Sequence, residues 1–256
     1  MGIKKHIPNF ITLLNLLCGC IAVLCAVSSD FFLAALFVFA GIFFDFMDGL
    51  TARLLNVKSA LGLQLDSLAD MVTSGVVPGV VMFKLLTMSL GGAETISVEA
   101  SWDQANYWHG LQVPLLAFLG FLITLSSAYR LAKFNLDEDQ QSYFKGLPTP
   151  ANTILIISLP LILEFQGSAL YHKIILNPWF LIGLTLLSSY LLNSRIKLFA
   201  LKFSDWSFKS NGIRYVFIVC TLILIVLFKF VSVPIILLFY ILLSLITGAS
   251  GSFKTH

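Results

Sequence analysis

Apolar residues run through this chain in long stretches, and polar ones crowd into the gaps between them. The stretches lie near 8–27, 31–54, 62–87, 112–133, 147–165, 177–194, 214–230 and 233–250. Each approaches or exceeds the roughly 20 residues that a helix needs to cross a bilayer's hydrocarbon. A backbone in lipid has no water to bond, so runs of this length predict helices whose polar groups are satisfied internally. The pattern predicts an all-α polytopic membrane bundle of about eight transmembrane helices, forming one integral membrane domain over 1–256. Only Ser232, Val233 and Pro234 separate the last two stretches, a spacing suited to a tight hairpin.

Composition agrees with the pattern. The 256 residues are 58% hydrophobic and 11% charged, with a mean hydropathy of +0.92, which excludes an ordinary soluble domain. A net charge of +3 gives no reason to expect a nucleic-acid partner. Cys18, Cys20, Cys25 and Cys220 fall inside apolar runs without metal-like spacing and read as packing residues. Lys4 and Lys5 before an apolar stretch imitate a signal peptide, but Asn9, Thr12 and Asn15 interrupt it and no small-residue cleavage site follows. It is expected to stay as the first transmembrane helix.

The distribution of Lys and Arg predicts orientation. With the N-terminus in the cytoplasm, Lys4, Lys5, Arg53, Lys58, Arg130, Lys133, Lys145, Arg195, Lys197, Lys202, Lys209, Arg214 and Lys254 fall on or near the inner side, against Lys84, Lys173 and Lys229 on the outer. Both termini are therefore expected in the cytoplasm. The long outer loop near 89–111 carries Glu94, Glu99 and Asp103 and no cation, and Asp137, Glu138 and Asp139 read as a solvated turn. The basic 195–214 connection, with Trp206 and Phe208, reads as a positive-inside loop or as a segment resting on anionic headgroups.

Four carboxylates sit where they are least expected. Asp45, Asp48, Asp66 and Asp70 lie within or at the ends of apolar spans, where an Asp costs roughly 2.5–3.5 kcal/mol at a helix centre. They must face a protein interior. Asp45, Asp48, Gly49 and Ala52 share one face of the second helix, and Gly62, Asp66 and Asp70 share one face of the third. A short connection near 55–61 makes the two helices antiparallel neighbours, so both faces are expected to meet in one cavity. Like charges so close oppose one another's ionisation, and divalent cations with oxygen preference, Mg²⁺ or Mn²⁺, resolve the conflict. His6, His109, His172 and His256 lie elsewhere, against a His-rich zinc site.

The flanking residues admit two readings each. Gly49 and Gly62 suit either a ligand approaching the backbone or close helix packing. Arg53 suits a phosphate clamp or a positive-inside helix end. Arg130 and Lys133 suit capture of a carboxylate or phosphate, or simple snorkelling. Asn9, Thr12 and Asn15 suit contact with a nucleotide, or bonds to a neighbouring helix.

The segment Asp45-Phe-Met-Asp48-Gly49-Leu-Thr-Ala52-Arg53, followed after eight residues by Gly62-Leu-Gln-Leu-Asp66-Ser-Leu-Ala-Asp70, resembles the D-x-x-D-G-x-x-A-R…G-x-x-x-D-x-x-x-D signature of the CDP-alcohol phosphotransferases. All eight signature positions are filled. Within that family, Ile7-Pro8-Asn9-Phe10-Ile11-Thr12-Leu13-Leu14-Asn15-Leu16, Tyr129 to Asn135, and Phe144 to Ala151 resemble the CDP-diacylglycerol–serine phosphatidyltransferases. The likeness covers a core of 7–152, leaving 153–256 as additional transmembrane helices known by hydropathy alone.

The resemblance implies transfer of a phosphatidyl group from CDP-diacylglycerol to the hydroxyl of L-serine, giving phosphatidylserine and CMP. It implies metal ligands at Asp45, Asp48, Asp66 and Asp70, with Asp70 also the general base. It further implies CDP-lipid contacts at Gly49, Ala52, Arg53, Gly62, Asn9 and Asn15, and acceptor contacts at Arg130 and Lys133. Four carboxylates and a diphosphate carry about six negative charges, of which two divalent ions and Arg53 offset five. Surrounding membrane lipids, a homodimer, and an inner-membrane location with the site facing the cytoplasm complete the expectation. Glycerol 3-phosphate or inositol phosphate as acceptor is the nearest alternative. An ion-coupled transporter, which also buries Asp in membranes, is the alternative from another class.

Overall fold

The computed structural model describes residues 6–57, 59–91, 114–136, 143–199 and 208–249. Lys4, Lys5, Lys58, Lys202, Lys254, most of the acidic loop with Glu94, Glu99, Asp103 and His109, the Asp137–Asp139 turn, Trp206 and His256 lie outside the described residues. Helices α1 (His6–Val27) and α2 (Phe31–Leu54) form an antiparallel pair. Asp30 caps α2 by accepting the Leu33 N–H at 3.0 Å. Ser59 does the same for α3 (Ala60–Asp70), accepting the Gly62 N–H at 3.0 Å.

Helix α3 continues through a widened π-helical stretch, Met71–Val76, into α4 (Val77–Ser89). Pro78 explains the widening. It lacks an N–H, and its ring crowds the carbonyl four residues back, that of Ser74. Neighbouring helices meet the carbonyls that this loosens. Thr153 Oγ1 donates to the Ser74 carbonyl at 2.9 Å, and Thr124 Oγ1 to the Gly75 carbonyl at 3.0 Å. A membrane helix tolerates a proline when side chains re-satisfy the freed backbone in this way.

A 3₁₀ turn at Leu115–Phe121 leads into α5 (Leu122–Leu136), followed by α6 (Thr149–Phe165), α7 (Ala169–Ile175), α8 (Pro178–Asn193), α9 (Phe208–Phe228) and α10 (Ser232–Ala249). Strands β1 (Tyr143–Lys145) and β2 (Lys197–Phe199) pair antiparallel, with Phe144 opposite Leu198. This small ribbon was not expected from the hydropathy pattern. It closes on α8 through Gly146, whose φ of +72° lets its N–H reach the Ile196 carbonyl at 2.9 Å. Arg130 clamps the same corner, its Nη1 donating to the carbonyls of Lys145 at 2.8 Å and Leu192 at 2.6 Å. Leu192 lies in the last turn of α8, whose carbonyls have no partner within the helix.

The apolar core lies on α4 and α6, with Val77, Met82, Leu85, Leu86, Ile156 and Ile157 almost fully buried. Much of α1, α2, α9 and α10 instead exposes large apolar side chains, as a lipid-facing surface does. Apart from the small ribbon, the fold is the expected helical, polytopic one. By length and hydropathy, five helical runs among the described residues can cross a membrane, or six if α7 and α8, bent by 58°, count together. Against the expected eight, α6 has only 17 residues. The last two stretches fold back on each other as the expected tight hairpin, since the rings of Phe217 and Phe239 stack at 5.9 Å. A straight helix would hold residues so spaced about 33 Å apart. Lys229, at φ +48°, makes the reversal, and Gln166 secures it by donating to the Phe228 carbonyl at 3.0 Å and accepting the Val231 N–H at 3.2 Å.

Candidate active site

The two acidic stripes do meet. One oxygen from each of Asp45, Asp48 and Asp66 lies within 4.8 Å of the others. The helical period aligns each stripe, but α2 and α3 are not the close antiparallel neighbours expected: they scarcely touch, and α1 packs against both and holds them with their acidic faces turned to one space. Both aspartates of α2 project toward the face of α3 that carries Asp66, and Asn56, at φ +53°, helps turn the chain between them.

Helix α1 supports the cluster from the side. The Thr12 hydroxyl donates to Asp48 Oδ2 at 2.5 Å and lies 3.1 Å from the Pro8 carbonyl. Asp48 is only 6% exposed. Asn15 reaches the fourth carboxylate, its Nδ2 donating to Asp70 Oδ1 at 3.2 Å. Asp70 is thus one turn beyond Asp66 but stands outside the group of three, held by α1.

Asp48 and Asp66 open onto a cavity of about 540 Å³. Asn9, Gly49, Ala52, Arg53 and Gly62 line it with them, five of the six positions expected to hold a CDP-lipid. A side chain added at Gly49 would meet no atom within 4 Å, so the glycine faces open space and not a packed helix. Gly62 is tighter, since a Cβ there would come within 3.0 Å of Ser59 Oγ and 3.2 Å of Asn9 Oδ1. The sixth position, Asn15, is fully buried behind the carboxylates.

Arg130 and Lys133 line a different, smaller pocket together with Lys145 and Arg195, and it shares no residue with the larger cavity. Arg130 is engaged there with backbone carbonyls. Asn135 bonds Ser67 reciprocally at 2.9 and 3.2 Å, tying α5 to α3 next to Asp66. The sequence reading did not single out Thr73, Ser59 or Ser67. Of these, Ser59 alone carried a local signal, a serine three residues before a glycine at a helix start.

Three carboxylates converging without histidine or cysteine form a hard oxygen donor set, which suits Mg²⁺ or Mn²⁺ and suits zinc poorly. Three carboxylates this close also call for a shared proton or a cation among them. The residues present therefore fit a divalent metal.

Residues 5–186 match the family model described as CDP-alcohol phosphatidyltransferase. Similar curated proteins include the CDP-diacylglycerol--serine O-phosphatidyltransferase of Bacillus subtilis (strain 168), 32% identical over 197 residues, covering 75% of this chain and 89% of that one. A protein of the same name from Helicobacter pylori (strain J99 / ATCC 700824) is 29% identical over 152 residues, covering 59% of this chain and 55% of its own. One from Saccharomyces cerevisiae (strain ATCC 204508 / S288c) is 33% identical over 135 residues, covering 49% and 40%. The chain thus spans most of the Bacillus protein but about half or less of the other two. With the family match over most of its length and three signature carboxylates converging, two of them on the wall of one cavity, the chain belongs to the CDP-alcohol phosphatidyltransferase family and is a membrane-embedded transferase.

Proposed function

We propose that this protein transfers the phosphatidyl group of CDP-diacylglycerol to L-serine, giving phosphatidylserine and CMP. The observation that carries the reading is the convergence of Asp45, Asp48 and Asp66, with Asp48 and Asp66 at the wall of a cavity lined by Gly49, Arg53 and Gly62. Serine as acceptor is supported by the printed names of the similar proteins and by the 75% of this chain that aligns with the Bacillus one. Family membership argues against the transporter alternative.

In this reading Asp45, Asp48 and Asp66 hold two divalent cations, Mg²⁺ or Mn²⁺, with Asp70 completing the set. When bound, such ions supply positive charge against the diphosphate and the departing CMP. Gly49 leaves room for the diphosphate to approach the backbone of α2, and Arg53 adds a guanidinium at the cavity wall. Asn9 borders the same space from α1 and offers an amide to the nucleotide. Asp70 accepts the proton of the serine hydroxyl. The oxygen then attacks the lipid-side phosphorus, the phosphorus–oxygen bond to CMP breaks, and CMP leaves with that electron pair. Positioning and charge stabilisation carry most of such a reaction. Arg130 and Lys133, in the basic pocket beside α5, are the candidates to receive the acceptor's carboxylate.

The ends of α2, α5 and α8 that carry Arg53, Arg130, Lys133 and Arg195 lie at the same end of the bundle as the acidic cluster, linked by the Ser67–Asn135 and Arg130–Leu192 bonds. By the positive-inside rule this end faces the cytoplasm, with both termini and the active site on that side of the cell's inner membrane. A homodimer is part of the same proposal, resting on family resemblance.

The test is purified protein in detergent with CDP-diacylglycerol, Mn²⁺ or Mg²⁺, and radiolabelled serine. Serine-dependent release of CMP and labelled phosphatidylserine is expected. Release driven by glycerol 3-phosphate or an inositol phosphate, and not by serine, overturns the acceptor and keeps the chemistry.

A further inference from the structure

We propose that Thr73 is a positioning residue for phosphatidyl transfer, acting through Asn15 to set the carboxylate of Asp70; the inference rests on the reading of Asp70 as the general base. Three groups form a chain. Thr73 Oγ1 donates to Asn15 Oδ1 at 2.8 Å, and Asn15 Nδ2 donates to Asp70 Oδ1 at 3.2 Å. Thr73 and Asn15 are both fully buried, so no water competes for the bond between them, while Asp70 at the end of the chain is half-buried.

The order of the chain matters. An asparagine amide has an accepting oxygen and a donating nitrogen, and nothing in its shape prefers one orientation. The Asp70 carboxylate can only accept, so it takes the nitrogen end of the amide; the Thr73 hydroxyl meets the oxygen end and anchors the amide where its nitrogen reaches Asp70. Thr73 supplies this anchor from the widened turn that begins directly after Asp70, so the residue that is positioned and the residue that positions it share one backbone segment.

Two glycines make room for the arrangement. A Cβ at Gly19 of α1 would stand 2.5 Å from Thr73 Oγ1. A Cβ at Gly41 of α2 would stand 2.8 Å from Thr73 Cγ2 and 2.9 Å from Asn15 Oδ1. Contacts that short do not occur, so both helices give up a side chain where this pair sits. The α1–α2 pair thereby closes over Thr73 and Asn15, behind the carboxylates and away from the cavity.

A steady-state comparison of the full-length protein tests the proposal, using CDP-diacylglycerol, serine and Mn²⁺ and measuring kcat and both KM values for Thr73→Val, Thr73→Ser and Asp70→Asn. Thr73→Val keeps the shape and removes the donor. Its kcat is expected to fall about 10- to 100-fold, the scale of a small misplacement of a reacting group, with both KM values within about twofold. Thr73→Ser restores the hydroxyl and is expected to recover kcat to within about threefold. Asp70→Asn is expected to be inactive. Full kcat in Thr73→Val beside an inactive Asp70→Asn overturns the positioning role. A loss in Thr73→Val that comes with a lowered melting temperature and no recovery in Thr73→Ser shows a role in packing only, and also overturns it. Full turnover in Asp70→Asn overturns instead the reading of Asp70 as base. If Thr73→Val does not purify folded, Thr73→Ala removes the same donor with less bulk and is judged by the same kcat and KM criteria.

Discussion

Thr12 on α1 donates its hydroxyl to Asp48 on α2 at 2.5 Å, so one wall of the acidic cluster is oriented by a helix that carries none of its carboxylates. A group that fixes a metal ligand from behind typically contributes 10–100-fold in metal affinity or activity. Thr12→Val is therefore expected to raise the Mn²⁺ concentration needed for half-maximal turnover by about tenfold or more. A metal titration of CMP release checks this, and an unchanged midpoint removes Thr12 from the metal site's support.

Asp66 belongs both to the group of three carboxylates and to the cavity wall. Asp66→Asn keeps its size and removes its charge. Metal-dependent turnover is expected to drop on the order of 10²-fold or more, while insertion and purification stay normal. Near-normal turnover would exclude Asp66 as a ligand.

Gly49 faces open space inside the cavity. Gly49→Leu fills that space. The affinity for CDP, followed by calorimetry with Mn²⁺ present, is expected to weaken at least about tenfold, roughly 1.4 kcal/mol. Unchanged binding would place the nucleotide elsewhere.

Gly146 stands at φ +72°, and a Cβ there would lie 2.8 to 2.9 Å from the carbonyls of Leu192, Leu191 and Ser194. Gly146→Ala therefore meets both an unfavourable backbone conformation and a clash at the end of α8. A loss of about 1–3 kcal/mol is expected, read as a lower melting temperature in detergent. A melting curve that overlays the native one would mean the corner relaxes freely.

Local periodicity made much of this legible from the chain alone. Asp45 and Asp48 on one helix, and Asp66 and Asp70 on the next, are aligned by the 3.6-residue repeat. Their burial cost in lipid demands a common polar interior, but it is α1, packed against both helices, and not direct α2–α3 packing that brings the stripes together. Polytopic character followed in the same way, because run length alone dictates helices in hydrocarbon. The number of spans was less secure: the hairpin between α9 and α10 was legible, but α6 is shorter than its apolar run suggests.

What the fold decided depends on residues far apart in sequence. Asn15 meets Asp70 across 55 positions, Thr73 meets Asn15 across 58, and Arg130 meets the Leu192 carbonyl across 62. No repeat in the chain encodes such pairs, because each exists only where separate helices are packed to within a hydrogen bond's length. Apolar run length and helical period determined which residues leave lipid and which side they face. Packing alone, through the wide turn after Asp70 and the glycines beside it, decided which polar group each of them touches.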